Sequence, residues 1–455
     1  MWFTGLPCAR SRAATDTDKA PTTISFNEEN GERSYVYLTD EEKRILDGDK
    51  GEAARLALSI LVDLGKLYGA ETLMPVSQVH IDATLYMVDA GLQFAEKMAS
   101  LGAKAAVPTS LNPSAIDLIR WKELRVPPEE LIKHQRLASA YLTMQATPTW
   151  TCAPYQQGIV PRFGEQIAWG ESNAIAFANS VIGARTNRYA DLMDICAAII
   201  GKVPKFGLHL KRNRKAKLLI ELKGFTTPMF ENEALYPLLG CVVGEIASDQ
   251  VAAVSGIPSA VTFDNLKGFL AGAASSGAVA LCHLVGITPE AQDVEMCFQG
   301  DRPKRVLQIT PKMVADHEQR LQSAKDDNID WITVGCPHYS PAEFTQLLRL
   351  VEGKRVHQSV AFWVFTSRTV YAWIKENSIL KQLTDAGISV FTDGCPLQYP
   401  RKSWNFSAAM TDSAKFANYC YSQTGLPVIF GSLEDCVESA VTGKIQRRKS
   451  PWAGN

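Results

Sequence analysis

The sequence is short of several things at once, and each shortage closes off a class of function. Its 455 residues carry a formal net charge of only −1, so neither a broad nucleic-acid surface nor a polybasic membrane patch is indicated. No apolar run approaches the roughly 18–20 residues that cross a bilayer. Residues 1–7 are too short and too broken to form the apolar stretch of a secretory signal. There is no Cys-x-x-Cys pair, which argues against a zinc ribbon. There is no Gly-x-Ser-x-Gly, so the nucleophile elbow of an α/β hydrolase has no support, and packing cysteines in such an enzyme remain a weak alternative. No internal repeat and no low-complexity linker are found.

What is present is an ordinary soluble composition, 46% hydrophobic and 21% charged, on a chain too long for one core. Two or three lobes are expected. The ten cysteines lack a disulfide-framework spacing, so reduced thiols in a cytoplasmic setting are the default, some packing the core and some free to bind metal. Residues 1–35 read as a polar, disordered extension. Arg10 and Arg12 there precede the first acid, Asp16, which leaves organelle targeting as a minor alternative. Residues 36–445 form the folded region, and 446–455 a tail.

Order is expected from Tyr37, where Thr39 and Glu42 have the spacing of a capping box. Helical patterns follow at Val88–Leu101, Glu129–Tyr141 and Glu171–Ile182, with a short strand at Ala105–Val107. The second half alternates. Strands are expected at Lys217–Leu222, Ala278–Leu284, Trp331–Val334, Val360–Phe365, Ile388–Phe391 and Val428–Phe430, separated by helices. That alternation predicts an α/β fold with a largely parallel sheet.

Three of these strands run into loops with chemistry in them. Trp331–Val334 leads to Gly335-Cys336-Pro337-His338, Ile388–Phe391 to Thr392-Asp393-Gly394-Cys395-Pro396, and Val360–Phe365 to Thr366-Ser367-Arg368. Ligands bind beyond the carboxyl ends of strands in open α/β sheets. Gly before Cys permits a tight turn and Pro after it fixes the backbone, so each loop is able to aim a thiolate. Ser340-Pro341-Ala342-Glu343 reads as a helix start that pins the first loop from behind. Small buried cysteines in turns are the plain alternative. Cys152 lies in a third Pro-bounded loop, Thr149–Tyr155. The run Asn179-Ser180-Val181-Ile182-Gly183-Ala184-Arg185-Thr186-Asn187-Arg188 concentrates arginine, amides and hydroxyls, as an anion site would. His80, His209, His283 and His338 each read first as structural histidines.

These stretches, together with Leu38–Lys43, Trp169-Gly170-Glu171-Ser172-Asn173-Ala174, Asp264-Asn265-Leu266, Ser275–Ala280 and Ser413-Ala414-Lys415, occur in family order across about residues 36–445. The chain resembles the large subunit or large catalytic domain of aconitase X, a divergent branch of the aconitase superfamily. The resemblance implies a multi-lobed, aconitase-like catalytic region and a dehydratase acting on a small anionic hydroxy acid. The leading substrate is cis-3-hydroxy-L-proline, with mevalonate 5-phosphate as the alternative. It implies an iron–sulfur cluster or a mononuclear iron on Cys152, Cys336 and Cys395. It implies catalytic roles for Glu171, His338 and Lys415. It also implies that Asn179, Ser180, Arg185, Asn187 and Arg188 grip the substrate, with Arg368 beside them. Two departures stand out: Gly394 where the family commonly has Thr, and Asp412 where an amide is usual. The family's small swivelling domain is not recognisable in this sequence. A small subunit in trans is therefore expected, with a non-enzymatic iron-binding protein as the alternative.

Overall fold

The computed structural model describes residues 35–189, 191–324, 327–398 and 403–452. The expected N-terminal extension and the last three residues of the tail lie outside the described residues. Order begins as the capping signal requires. Thr39 and Glu42 bond each other's backbone at the start of the helix Asp40–Leu46.

Three parallel sheets organise the chain, which bears out the α/β reading. The first pairs Thr109–Leu111, Val79–Ile81 and Ala168–Trp169. The second has the order Cys282–Leu284, Ala252–Ser255, Leu218–Leu222, Val306–Ile309. The third has five strands in the order Ile388–Phe391, Ala361–Thr366, Trp331–Tyr339, Ala409–Thr411, Val428–Phe430. A small antiparallel pair, Leu73–Pro75 with Lys202–Pro204, completes the set. Strands buried on both faces read as unbroken apolar runs, and Trp331–Val334 is buried at every position.

The largest core runs between the second and third sheets and their helices, with Trp331, Trp363, Phe365, Phe391 and Phe416 at one end and the helices Leu235–Ala247 and Phe263–Ser276 at the other. A separate core underlies the first sheet. Among the described residues no helix is long and apolar enough to cross a membrane.

Three local expectations are corrected. Ala105–Val107 is not a strand. Its amides leave to Met144 and Ala198, and pairing starts only at Thr109, after Pro108. The strand expected over Ala278–Leu284 is confined to Cys282–Leu284, because Ala278 donates instead to the Ser248 carbonyl. The helix expected over Glu171–Ile182 holds its α form only for Ser172–Phe177 and then widens to a π turn over Ala178–Ile182. Such widenings often mark functional segments.

Candidate active site

The third sheet brings two of the cysteine loops together. Beyond Val334 the strand Trp331–Tyr339 loses register with its neighbour: Val334 faces Val364, but the next pair is Tyr339 with Thr366. The extra residues bulge out, as such insertions do, and carry Cys336, cis-Pro337 and His338 with them. Gly335 makes this possible. Its φ is +94°, and a Cβ there would strike the backbone of Phe365. Behind the bulge, Ser340 and Glu343 close a capping box on the helix Pro341–Val351, as the sequence indicated. The Cys395 loop follows the adjacent strand but one. There Asp117 accepts the Thr392 amide at 2.9 Å, and Arg368 grips Asp393 with two nitrogens at 2.7 and 2.6 Å.

His338 ties these loops to the third. Its amide donates to Cys152 Sγ at 3.3 Å. Its ring Nε2 lies 3.0 Å from the Gly394 carbonyl and its Nδ1 lies 3.2 Å from Thr151 Oγ1. A carbonyl only accepts, so the proton sits on Nε2 and Nδ1 receives the threonine hydroxyl. One imidazole thus bonds the residue preceding Cys395 and the residue preceding Cys152, while standing two residues from Cys336. Burial lowers its pKa to about 4. Both ring nitrogens are engaged within the protein. His80, His209 and His283 also bond within the protein, to Ser110, to Tyr189 and Gln166, and to the Arg214 carbonyl.

The three thiols lie within electrostatic reach of one another. Burial pushes Cys152 up to about 12, with Glu171 and Cys395 adding to the rise and Lys415 opposing it. Cys336 and Cys395 are raised first by burial as well. Among the described residues no three His, Cys, Asp or Glu side chains close on one point as a single-ion site requires. Three free cysteines brought in by three loops are the donor type of a thiolate-held iron–sulfur cluster.

Lys415 lies beside them, in the first turn of the helix Ala414–Thr424, whose cap Ser413 also donates to the Cys336 carbonyl. Lys415 forms a buried ion pair with Glu171 and donates to Ser172 Oγ at 3.2 Å. Glu171 in turn caps the helix Ser172–Phe177, accepting the Ala174 amide at 2.6 Å. Burial works against both charges. The pair outweighs it, holding Glu171 below and Lys415 above their ordinary ranges.

Lys415, Ser413 and Cys336 open onto a cavity of about 600 Å³. Its far wall holds a cluster that sequence reasoning missed. Lys267 is buried between Asp264, at 3.1 Å, and Glu343, and donates to the His338 carbonyl at 3.2 Å. The i, i+3 spacing of Asp264 and Lys267 on one helix was the only signal for it. Asp82 was missed as well. It follows the strand Val79–Ile81, and a Cβ at the neighbouring Gly170 would collide with it. Burial, then Glu171, raise its carboxyl well above the usual range.

None of Asn179, Ser180, Arg185, Asn187, Arg188 or Arg368 lines this cavity. The Asn179 amide bonds Thr186, Ala280 and the buried Arg214. Ser180 Oγ accepts the Cys282 amide, and Asn187 bonds Phe206 and Leu208. These three build the turn after the π segment. Arg368 is held by Asp393, and Arg188 is exposed with one bond to the Ala274 carbonyl. Arg185 has a buried Nε without a partner.

Comparison with known proteins settles the family. Models of the aconitase X first, second and third domains match residues 35–212, 216–319 and 329–442. The chain belongs to the aconitase X family. It is 39% identical to cis-3-hydroxy-L-proline dehydratase of Pseudomonas aeruginosa over 447 residues, spanning 98% of this chain and 74% of that one. It is 36% identical to the protein of the same name from Hypocrea jecorina, covering 94% and 71% of the two chains. It is 35% identical to the phosphomevalonate dehydratase large subunit of Methanocaldococcus jannaschii, covering 89% of this chain and all of that one. The solved holo-form of Thermococcus kodakaraensis aconitase X superposes with a TM-score of 0.80 at 31% identity, over 89% of this chain and all of that one. The aconitase X membership read from the sequence motifs is borne out, and the relatives from Pseudomonas, Hypocrea and Methanocaldococcus are named as dehydratases.

Proposed function

We propose that this aconitase X chain is a hydro-lyase for a small anionic hydroxy acid, and that the substrate is cis-3-hydroxy-L-proline. The 39% identity over nearly the whole chain to a dehydratase of that name supports the substrate. The observation that carries the chemistry is a buried Lys415–Glu171 pair beside three convergent cysteine loops, open to a cavity of substrate size.

In this reading Cys152, Cys336 and Cys395 hold an iron–sulfur centre, which when bound supplies Lewis-acid polarisation of the departing hydroxyl. Lys415 reaches the cavity with its proton secured and grips the substrate carboxylate. Glu171 lies behind Lys415 and acts through it, keeping the ammonium charged and aimed. Asp82, its carboxyl raised by burial and by Glu171, lies near that pair and accepts from the Asn112 amide. His338 keeps the three loops in place. Asn179, Ser180 and Asn187 act by shaping the turn, and Arg368 by fixing the Cys395 loop. Arg185 and Arg188 remain candidates for the substrate's anionic group only where the protein closes over the cavity.

The chain also spans the whole of an archaeal large subunit, which supports a small swivelling subunit in trans. The test is an anaerobic assay with cis-3-hydroxy-L-proline and with mevalonate 5-phosphate, with and without a co-expressed small subunit. Turnover of the hydroxyproline, dependent on the small subunit, is expected. Turnover of the phosphate ester alone, or of neither, overturns the reading.

A further inference from the structure

Asp412 stands on the cavity wall three residues before Lys415, at the end of the strand Ala409–Thr411. Nothing in the mechanism above uses it. Its Oδ2 accepts the hydroxyl of Tyr339, which holds the carboxylate in one orientation. The two lysines of the cavity are engaged elsewhere, Lys267 by Asp264 and Glu343, Lys415 by Glu171. Burial raises Asp412 to about 6, while the Tyr339 bond and Lys267 pull the other way. Among the described residues its carboxylate has a hydroxyl for a partner and no salt bridge, and Lys267 on the same cavity is shared between two other acids. Such a group is completed by a cation.

The cavity lining carries both signs: Glu233, Asp264, Glu343 and Asp412 with Lys267, Arg349 and Lys415. A phosphate ester placed near Asp412 would bring a second anion to an unneutralised one. A zwitterion has a group for each end: its carboxylate for Lys415 and its ammonium for Asp412. We propose that Asp412, oriented by Tyr339, is the specificity residue that receives a protonated amine, so that this cavity selects an amino acid over a phosphorylated hydroxy acid. The choice of substrate rests on the dehydratase reading, but the amine site does not need turnover to be seen.

The experiment is calorimetry with L-proline and with tetrahydrofuran-2-carboxylate, which differ by an ammonium against an ether oxygen. Wild-type protein is compared with Asp412→Asn, which keeps an acceptor for Tyr339 and removes the charge. Asp412→Ser serves the same purpose should the amide disturb the strand end. L-Proline is expected to bind wild type about tenfold or more tighter than the ether, and the advantage is expected to vanish in the variant. An equal preference in both proteins, or no preference in wild type, overturns the proposal. Hydroxyproline turnover by wild type with the co-expressed small subunit is scored separately. A preference for the amine without turnover sinks the dehydratase reading and leaves the amine site standing; turnover without the preference does the reverse.

Discussion

Two lysines are buried on the wall of one cavity, and their surroundings assign them different work. Lys267 stands among oxygens, with Asp264 and Glu343 as counter-ions and the His338 carbonyl as a third partner. Lys415 has one carboxylate, Glu171, one hydroxyl, Ser172, and the field of Cys336 and Cys152. One cation cannot compensate two buried acids. Burial, with Asp264 added, leaves Glu343 pushed up to about 8 although Lys267 touches it. Around Lys415 the balance is one to one, and the remaining field comes from sulfur. The lesson is that charge stoichiometry, more than burial, separates a lysine shared by two carboxyls from one paired with a single carboxylate.

Replacing each lysine with methionine tests that separation most directly. Lys267→Met strands two buried carboxyls, so unfolding stability is expected to fall by about 3–5 kcal/mol, read from denaturant midpoints. A loss under about 1 kcal/mol would show that the cluster is solvated and that the contrast is wrong. Lys415→Met is expected to lower kcat/KM for hydroxyproline by roughly a hundredfold or more, about 2.7 kcal/mol, through the lost charged contact. Its melting temperature should fall less than that of Lys267→Met. Equal melting losses with retained kcat/KM would make both lysines structural.

The pH dependence sharpens the contrast, because the two acids move in opposite directions. Glu343 is raised on folding, so the folded state keeps its proton longer than the unfolded chain. Stability therefore declines as pH rises from about 4.5 toward about 8. Glu171 is lowered, so its contribution is present above the unfolded value and is lost as pH falls through the folded one. Glu343→Gln should flatten the alkaline decline, and Glu171→Gln the acidic one. Melting curves from about pH 2 to pH 9 check both, and a swap of the two effects would reverse the assignment of the lysines.

How much of this was legible beforehand divides along the same physical line. The strands of the third sheet were readable because both faces are buried and the apolar runs are unbroken, as at Ile388–Phe391. The cysteine loops were readable because Gly-Cys-Pro constrains its own backbone. The anion grip expected at Asn179–Arg188 rested on residue type and on the family resemblance. Type does not say whether an amide faces a ligand or a carbonyl, and Asn179 faces Thr186 and Ala280. Lys267 and Asp82 owe their settings to contacts far along the chain, Glu343 for one and Gly170 for the other. No local pattern encodes such a pairing, and only the fold makes it.

The mildest perturbation addresses the partition between the two lysines. His338 gives its carbonyl to Lys267 and its amide to Cys152, while its ring spans Thr151 and Gly394. His338→Gln leaves both backbone bonds and preserves at most one of the two ring bonds. A loss of about 1 kcal/mol in stability is expected, together with a fall in bound iron measured by metal analysis and visible absorbance. Turnover per iron retained should stay within about twofold, since a positioning residue changes how many sites are assembled and leaves the assembled site alone. Full iron with turnover reduced tenfold would mean that the imidazole carries a proton in the reaction. His338 would then belong to the chemistry itself.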